Sequence, residues 1–258
     1  MLKEVDINCD LGEGKTLQDC ELDAQLMPFI SRCNIACGGH AGNPTTMLAT
    51  LNHAKRSGIQ CGAHPSYPDP ANFGRQSMHI PLKNLLDNLL AQIAQLDALA
   101  SKTQQSLSHV KLHGALYNDA EKSPQMAHAI CQGLAQHYPQ LTILGLPNAA
   151  MQSAALAQKL PFMAEGFMDR AYLATGHLAP RSLAGAVYQQ VEVCIEQVMA
   201  MLMGKPLKVL QAQPHSNTQL SAVIISPDTF CLHGDSVIAH PLIEALHQTL
   251  SRHGYAVI

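Results

Sequence analysis

The sequence predicts an α/β protein built as a parallel β-barrel surrounded by helices. Short apolar runs alternate with longer segments of helical periodicity along the chain. The presence of about seven such β–α units favours a barrel or a distorted barrel over an open sheet. Four apolar runs end near a histidine, as expected where polar groups gather at the carboxyl ends of barrel strands. We therefore expect residues 1–258 to form one α/β barrel domain.

The predicted strands are short apolar runs that end at glycine or polar residues. They cover residues 5–10, 33–37, 59–63, 109–113, 141–146, 162–165, 222–226 and 229–233. Strands of this type, separated by helical segments, are typical of a parallel sheet whose helices lie outside it.

The predicted helices cover residues 44–57, 81–102, 124–137, 148–159, 182–203 and 241–253. A proline suits the first turn of a helix, since its missing N–H has no partner there, and four prolines are placed this way: Pro44, Pro81, Pro124 and Pro241. The predicted N-caps are Asn43, Ser123 and Ser182. Gly58, Gly204 and Gly254 are predicted to end helices.

Composition narrows the classes of partner and compartment. Only 14% of residues are charged, which favours association with other chains and also fits a homo-oligomer. A net charge of -3 gives no basic surface for nucleic acid. No apolar run approaches the roughly 18 residues of a membrane span, and acidic residues interrupt the N-terminal apolar stretch, unlike in a signal peptide. We expect a cytoplasmic protein whose eight cysteines are free, buried thiols rather than a zinc site.

The first predicted strand carries polar residues on one face. Asp6, Asn8 and Asp10 alternate with apolar residues, so they point the same way. Because unpaired buried charge is costly, this face either lines the site or pairs with a lysine or arginine of a neighbouring strand. We assign Asp10 and the following Glu13 to the site and leave both alternatives open for Asp6.

The segment after this strand resembles a phosphate-binding loop only in part. Gly14, Lys15 and Thr16 fit the end of the motif, but Cys9 stands where its first glycine is required. Glu13 would also place a carboxylate beside the phosphates. We therefore predict no Walker A site here.

His40 and His64 follow the next two predicted strands. With Asp10 nearby, these residues are candidate ligands for zinc or another divalent ion. A histidine here also suits general acid–base catalysis, and a purely structural hydrogen bond is the third alternative. Residues 65–75 are rich in turn residues and are predicted to form a loop over the site, with Arg75 as an anchor for a carboxylate or phosphate.

The remaining candidates lie further along the chain. Lys111 and His113 share a strand face, and a lysine in an apolar strand needs a carboxylate partner such as Asp10 or Glu165. The predicted substrate-binding residues, besides Arg75, are Tyr117, Asn118, Glu165, Asp169, Arg170, His233 and Asp235.

These motifs together resemble the LamB/YcsF family. The matching stretches run in order along nearly the whole chain: residues 10–14, 34–42, 62–75, 111–118, 164–170 and 233–235. The chain departs from the usual family residues at Lys15, Thr16, Gly39, Ser66 and Leu112, while the polar residues remain.

The resemblance implies an irregular α/β barrel similar to those of glycoside hydrolases and deacetylases. It implies opening of the 5-oxoproline lactam to L-glutamate, driven by ATP with Mg²⁺, in a complex with 5-oxoprolinase subunits B and C. Coupling to ATP is chemically reasonable, because a lactam is a stabilised amide and phosphorylation of its oxygen creates a leaving group.

We hypothesise catalytic roles for a set of six residues: Asp10, Glu13, His40, His64, Lys111 and His113. Asp10, His40 and His64 would orient or deprotonate water, while Lys111, His113 or Arg75 would hold a carboxylate or an oxyanion. One alternative is a stand-alone metal-dependent deacetylase or sugar hydrolase, and another is a non-catalytic scaffold protein within the complex.

Overall fold

The structure, a computed structural model, describes residues 2–211 and 222–258. Its strands, in chain order, are β1 (Lys3–Leu11), β2 (Arg32–Ala36), β3 (Gln60–His64), β4 (His109–Lys111), β5 (Thr142–Gly145), β6 (Phe162–Phe167), β7 (Leu207–Lys208), β8 (Ala222–Val223), β9 (Thr229–His233) and β10 (Tyr255–Val257). Its α-helices are α1 (Leu17–Ala24), α2 (Pro44–Ser57), α3 (Leu82–Lys102), α4 (Gly114–Lys122), α5 (Pro124–His137), α6 (Ala150–Ala157), α7 (Val191–Leu202) and α8 (Ala239–Arg252).

Seven parallel strands close into a barrel in the order β1-β2-β3-β4-β5-β6-β9, and β9 returns to pair with β1. β10 pairs in parallel with the first residues of β1, and β9 pairs with the residues that follow. The predicted parallel (β/α) barrel is therefore confirmed. None of the described helices combines the length and the apolar character needed to cross a membrane.

Local sequence signals place several helices correctly. Helices α2 and α5 have the predicted bounds. The Asn43 side chain accepts hydrogen bonds from the N–H groups of Thr45 and Thr46, and the Ser123 hydroxyl accepts one at the start of α5. Gly58 ends α2 with φ of 71°, a left-handed conformation that glycine adopts without strain.

The predicted helix over residues 182–203 is wrong in its first half. Helix α7 begins at Val191 with Gln190 as its N-cap, so Ser182 caps no helix. Residues before it form turns held by the guanidinium of Arg170, which donates to the carbonyls of Ala179 and Ala186. Those contacts come from a distant strand end and override the local helical pattern.

The predicted barrel strand over residues 222–226 is also wrong. Only its first two residues pair, as β8, and they pair antiparallel with β7 outside the barrel. The position beside β6 is filled by β9, which also reaches β1. Four further elements were not predicted: α1, whose Leu17 and Leu22 are exposed, and the short elements α4, β7 and β10.

Asp6 forms an ion pair with a neighbouring strand, which is the second of the two alternatives that the sequence left open for it. Its carboxylate lies 2.6 Å from Nη2 of Arg32 on the neighbouring strand β2, and both side chains are largely buried. Arg32 Nη1 also donates to Oε1 of Gln60 on β3. This pair lies near the amino ends of β1 and β2, away from Asp10 at the other end of the same strand face. All eight cysteines are free and buried, as predicted.

We expect Arg32→Met to lower the free energy of unfolding by about 3 kcal/mol, because it leaves the buried Asp6 carboxylate without its charged partner. Urea unfolding followed by circular dichroism measures this. The matched control is Lys83→Met, since the Lys83–Asp87 ion pair is exposed and its loss should leave the midpoint unchanged. Equal effects of the two substitutions would contradict the assigned role of Arg32.

Candidate active site

A cavity of about 410 Å³ opens at the carboxyl ends of the barrel strands. Every predicted site residue lines it except His40, Glu165 and Asp169, and those three contact residues that do. The lining residues predicted from the sequence are Asp10, Glu13, His64, Arg75, Lys111, His113, Tyr117, Asn118, Arg170, His233 and Asp235. Barrel closure thus brings together side chains that are far apart along the chain.

Lys111 lies at the base of the cavity with its ammonium fully enclosed. Its Nζ is 2.8 Å from Asp10 Oδ1 and 2.9 Å from Glu165 Oε1, so both predicted carboxylate partners are confirmed. The contact with Glu165 is an ion pair whose angles fall outside those of a hydrogen bond. Nζ also donates to Cys231 Sγ at 2.9 Å. Burial disfavours the ammonium, but Asp10, Cys231 and Glu165 outweigh it and raise the pKa of Lys111.

Asp10 is held as a carboxylate. The amide of Asn34 donates to its Oδ1 at 2.7 Å, and His64 Nε2 lies 3.4 Å from its Oδ2. Burial alone would raise the pKa of Asp10, but the charges of His64 and Lys111 outweigh it and hold the pKa well below its usual range. One oxygen therefore faces Lys111 and the other faces the histidines of the cavity.

His64 and His113 are linked and each is fixed by a backbone carbonyl. His64 Nδ1 donates to Lys111 O at 2.8 Å, and His113 Nε2 donates to Phe73 O at 3.0 Å. The two remaining ring nitrogens, His64 Nε2 and His113 Nδ1, are 3.0 Å apart. Burial lowers the pKa of both rings. For His64 the carboxylate of Asp10 outweighs burial, so its pKa is raised. For His113 the neighbouring His64 adds to the effect of burial and lowers the pKa further.

Glu13 and His40 lie against this pair. His40 Nε2 is 2.9 Å from Glu13 Oε1, and the His40 ring stacks on that of His113 with centroids 3.5 Å apart. Burial, and then the charge of Asp10, raise the pKa of Glu13 to about 7. Burial and His64 lower the pKa of His40 to about 2. Gly74 is required here, because a Cβ on it would lie 2.9 Å from His40 Cβ.

The rim of the cavity is rich in arginine. Arg75 Nη2 is 2.6 Å from Asp235 Oδ2, and its guanidinium lies over the Phe73 ring. Arg181 also lines the cavity, 3.4 Å from His233 Nε2. His233 in turn is fixed through Nδ1 by Asp169, 2.8 Å away. These two partly exposed arginines can receive an anionic group.

Two predicted binding residues, Arg170 and Asn118, have contacts that change their interpretation. Arg170 lines the cavity, but it is buried and its guanidinium donates to Ala179 O and Ala186 O. It therefore stabilises the backbone segment that forms this wall of the cavity. Asn118 donates to Gly114 O within its own helix. Tyr117, by contrast, is buried and its hydroxyl has no hydrogen-bond partner in the described residues.

Sequence reasoning assigned no role to Asn34 or Arg181. Asn34 sits on the inward face of β2 and bridges Asp10, Asn8 and the ring of His109. A polar residue inside an apolar strand was the available signal for it, as for Asp10. Arg181 follows Pro180 in an irregular segment that resembles a surface loop, so nothing local marked it.

The glycine-rich segment after β1 is a helix cap rather than a phosphate loop. Thr16 Oγ1 accepts from the N–H of Asp19, whose carboxylate accepts from the N–H groups of Lys15 and Thr16. Backbone groups that would bind phosphate in a Walker A loop are therefore used within the protein.

Fold and cavity define a (β/α)-barrel protein with an acid–histidine–lysine cluster at the carboxyl ends of its strands, where barrel enzymes carry their active sites. The chain belongs to the LamB/YcsF family, whose model matches residues 5–258.

Two relatives match nearly the full length. The A subunit of the 5-oxoprolinase of Campylobacter jejuni subsp. doylei is 36% identical over 249 residues, 96% of this chain and 94% of that protein. The crystal structure of a lactam utilization protein from Thermus thermophilus superposes with a TM-score of 0.84 at 30% identity, covering 98% of each chain. A peptidoglycan N-acetylglucosamine deacetylase from Eubacterium rectale, at 12% identity and a TM-score of 0.50, covers 100% of this chain and 88% of its own. That match confirms the predicted likeness to deacetylase barrels in fold alone.

Lys111→Met should lower the free energy of unfolding by about 3–5 kcal/mol at pH 7, because it leaves Asp10 and Glu165 buried without their cation. The loss should shrink at pH 5, because the charge of Lys111 helps to hold the pKa of Asp10 down, so that Asp10 binds a proton more readily once Lys111 is removed. Urea titrations at both pH values measure this.

The double variant Lys111→Met, Glu165→Gln serves as the control for that measurement. Removing one of the two stranded charges should recover part of the lost stability at pH 7. A loss that is the same at both pH values and is not recovered would contradict the ion-pair account.

Proposed function

We propose that this chain is the A component of an ATP-dependent 5-oxoprolinase, which opens the 5-oxoproline lactam to L-glutamate. The observation that carries the proposal is full-length similarity to proteins named as the A subunit of 5-oxoprolinase, together with a cavity that holds an ionised carboxylate beside a histidine. The family resemblance seen in the sequence supports the same activity.

The size and charge of the cavity fit this substrate. 5-Oxoproline has one carboxylate and one lactam, and a cavity of about 410 Å³ is of the size that encloses a small molecule. We assign the substrate carboxylate to Arg75 and Arg181 at the rim. The lactam would then point inward, toward Asp10 and the histidines.

Asp10 is the residue we assign to water activation. Its Oδ2 faces His64 and its Oδ1 is held by Lys111 and Asn34, so the carboxylate is fixed in position and ionised. A carboxylate so placed can accept a proton from water as the water attacks the carbonyl carbon. His64 and Lys111 act on this step by orienting Asp10 and keeping it ionised.

Tyr117 is the donor we assign to the lactam oxygen. Its hydroxyl is buried and lacks a partner in the described structure, and the residue lines the cavity. Neither Lys111 nor His113 is free for that role, since Lys111 is enclosed by anions and His113 donates its N–H to Phe73 O.

We place ATP with Mg²⁺ in the assembled enzyme, together with subunits B and C. An amide resists water, and phosphorylation of the lactam oxygen by ATP activates the ring carbon toward attack by water. The ring C–N bond then breaks as the nitrogen takes a proton and leaves as the amine, and a second water hydrolyses the resulting acyl phosphate to glutamate and phosphate. Because the glycine–lysine–threonine segment of this chain is used as a helix cap, we assign the nucleotide to a site formed with or by the partner chains.

Asp10→Asn should lower glutamate release by the three-component mixture by about 10²–10⁴-fold, because the general base is lost. The assay supplies ATP, Mg²⁺ and 5-oxoproline and measures glutamate and ADP. Asp87→Asn, on the exposed face of α3, is the control and should retain full activity.

Two results of the same assay would contradict the proposed function. One is full activity of Asp10→Asn in the mixture. The other is release of acetate from N-acetyl sugars by the isolated chain, with no turnover of 5-oxoproline in the mixture, which would favour a stand-alone deacetylase. We expect the isolated chain to release no glutamate.

Arg75→Met should raise the KM for 5-oxoproline by about 10-fold or more while changing kcat less, because it removes a charged hydrogen bond to the bound carboxylate. The KM of Arg75→Lys should lie between those of wild type and Arg75→Met, since lysine keeps the charge but not the planar, two-pronged geometry of the guanidinium. Arg252→Met, at the end of α8, is the control. A fall in kcat with unchanged KM would show that Arg75 does not bind the substrate carboxylate.

A further inference from the structure

Four buried or nearly buried side chains turn one donor atom each toward a common point at the base of the cavity. The residues are Glu13, His40, His64 and His113, and their donor atoms all lie within 4.8 Å of one another. From Glu13 Oε1 the distances are 2.9 Å to His40 Nε2, 3.3 Å to His113 Nδ1 and 3.9 Å to His64 Nε2.

These separations match those of ligands around one small metal ion. Zinc binds histidine nitrogen and carboxylate oxygen at about 2.0–2.2 Å, which places tetrahedral ligand atoms about 3.3 Å apart. The separations from Glu13 Oε1 and the 3.0 Å between His64 Nε2 and His113 Nδ1 fall around this value. Small side-chain shifts would equalise them.

Two of the three histidine rings are held in the tautomer that a metal site needs. His64 Nδ1 contacts Lys111 O and His113 Nε2 contacts Phe73 O, and a carbonyl can only accept. When either ring is neutral, its proton therefore stays on the outer nitrogen and the inner nitrogen presents a lone pair. Metal-binding histidines are oriented in this way, by donating the other N–H to a carbonyl or carboxylate.

The barrel makes this arrangement rigid. Glu13 follows β1, His40 follows β2, His64 ends β3 and His113 follows β4, so the four residues come from four adjacent strands. The stack of His40 on His113 would have to open by a tilt of one ring, because a single ion cannot lie in the planes of two parallel rings whose centroids are 3.5 Å apart. A cation between the carboxylate and the three imidazoles would compensate the buried negative charge and the ring nitrogens together.

A second group of possible ligands, formed by Asp10, Cys231 and His233, is less suited to a metal. The Lys111 ammonium already lies 2.8 Å from Asp10 Oδ1 and 2.9 Å from Cys231 Sγ. A second cation beside it would be repelled. The sequence suggested Asp10 with His40 and His64 as ligands; the group of donor atoms that lie close together contains Glu13 and His113 in its place.

We propose that Glu13, His40, His64 and His113 bind one divalent first-row transition-metal ion of the zinc class. Imidazole and carboxylate together suit such ions better than Mg²⁺ or Ca²⁺. When bound, the ion would supply Lewis-acid polarisation of a substrate carbonyl or of water. Glu13, His64 and His113 also line the cavity, so the site is open to substrate on that side.

The test is metal binding by the full chain, without a histidine tag and purified without chelator. Elemental analysis by mass spectrometry should find about one zinc-class ion per chain. After the ion is stripped with a chelator, Co²⁺ should restore one equivalent and give visible absorption bands, and Zn²⁺ should raise the thermal midpoint. Glu13→Gln and His113→Gln should each weaken zinc binding on the order of 100-fold or more.

His253→Gln, at the exposed C-terminus of α8, is the matched control and should bind like wild type. Circular dichroism of the metal-free proteins identifies any variant that fails to fold; Glu13→Gln is nearly isosteric and carries the test if His113→Gln does not fold. Wild-type protein that takes up no stoichiometric ion, or folded Glu13→Gln that binds zinc as tightly as wild type, would overturn the inference.

The metal measurement uses no substrate, so its failure is distinguishable from failure of the proposed function. A chain that takes up no stoichiometric ion but still supports 5-oxoproline hydrolysis would overturn the metal site and leave the lactam activity standing. Stoichiometric, Glu13-dependent metal in a protein without that activity would support the site and contradict the proposed reaction.

Discussion

The ammonium of Lys111 is enclosed by the barrel, and much of the site depends on how its charge is balanced. A lysine taken out of water is costly unless anions and hydrogen-bond acceptors surround it. Here the partners come from three other strands: Asp10 on β1, Glu165 on β6 and Cys231 on β9. The interaction therefore links β4 to three strands with which it does not pair. The same contacts fix Asp10, and Asp10 in turn raises the pKa of His64.

A layer of neutral polar side chains lies next to this cluster. Asn8 accepts from Asn34 and donates to Thr229, while Oδ1 of Asn34 accepts from the ring of His109. Each of these buried groups finds a partner, which is the condition for a polar network to stabilise a fold. The inward face of β1 is thus polar from Asp6 to Asp10. Its other face packs in the hydrophobic core between barrel and helices, through Ile7, Cys9 and Leu11.

The site has a rigid base and an adjustable rim. At the base, charges and rings are buried and each is fixed by a neighbour from another strand. At the rim, Arg75 and Asp235 are partly exposed, and the loop that carries Arg75 returns to the base through Phe73 O and Gly74. A rigid base suits chemistry that needs fixed distances, while exposed arginines can adjust to an incoming carboxylate.

Much of this site could be predicted from the sequence, because a parallel barrel brings the ends of its strands together. Lys111 is the clearest case: an apolar strand around a lysine required a carboxylate, and both predicted carboxylates are there. Asp6 shows the limit, since the same alternation that marked Asp10 marked Asp6, and only the position of Arg32 on β2 separates a structural ion pair from a site residue. Arg181 and the wall-forming role of Arg170 were beyond prediction, because their contacts are made by an irregular segment with no periodic pattern.

The sequence by itself determined the parallel barrel, the bounds of α2 and α5, the free buried cysteines and about half of the residues that line the cavity. These follow from local rules: helix caps, apolar runs and polar residues at strand ends. The tertiary structure alone decided that β9 rather than the 222–226 segment closes the barrel, that α7 starts at Val191, and that one donor atom each of Glu13, His40, His64 and His113 lie within 4.8 Å of one another. Each depends on contacts between residues far apart in the chain, whose energies no local pattern encodes.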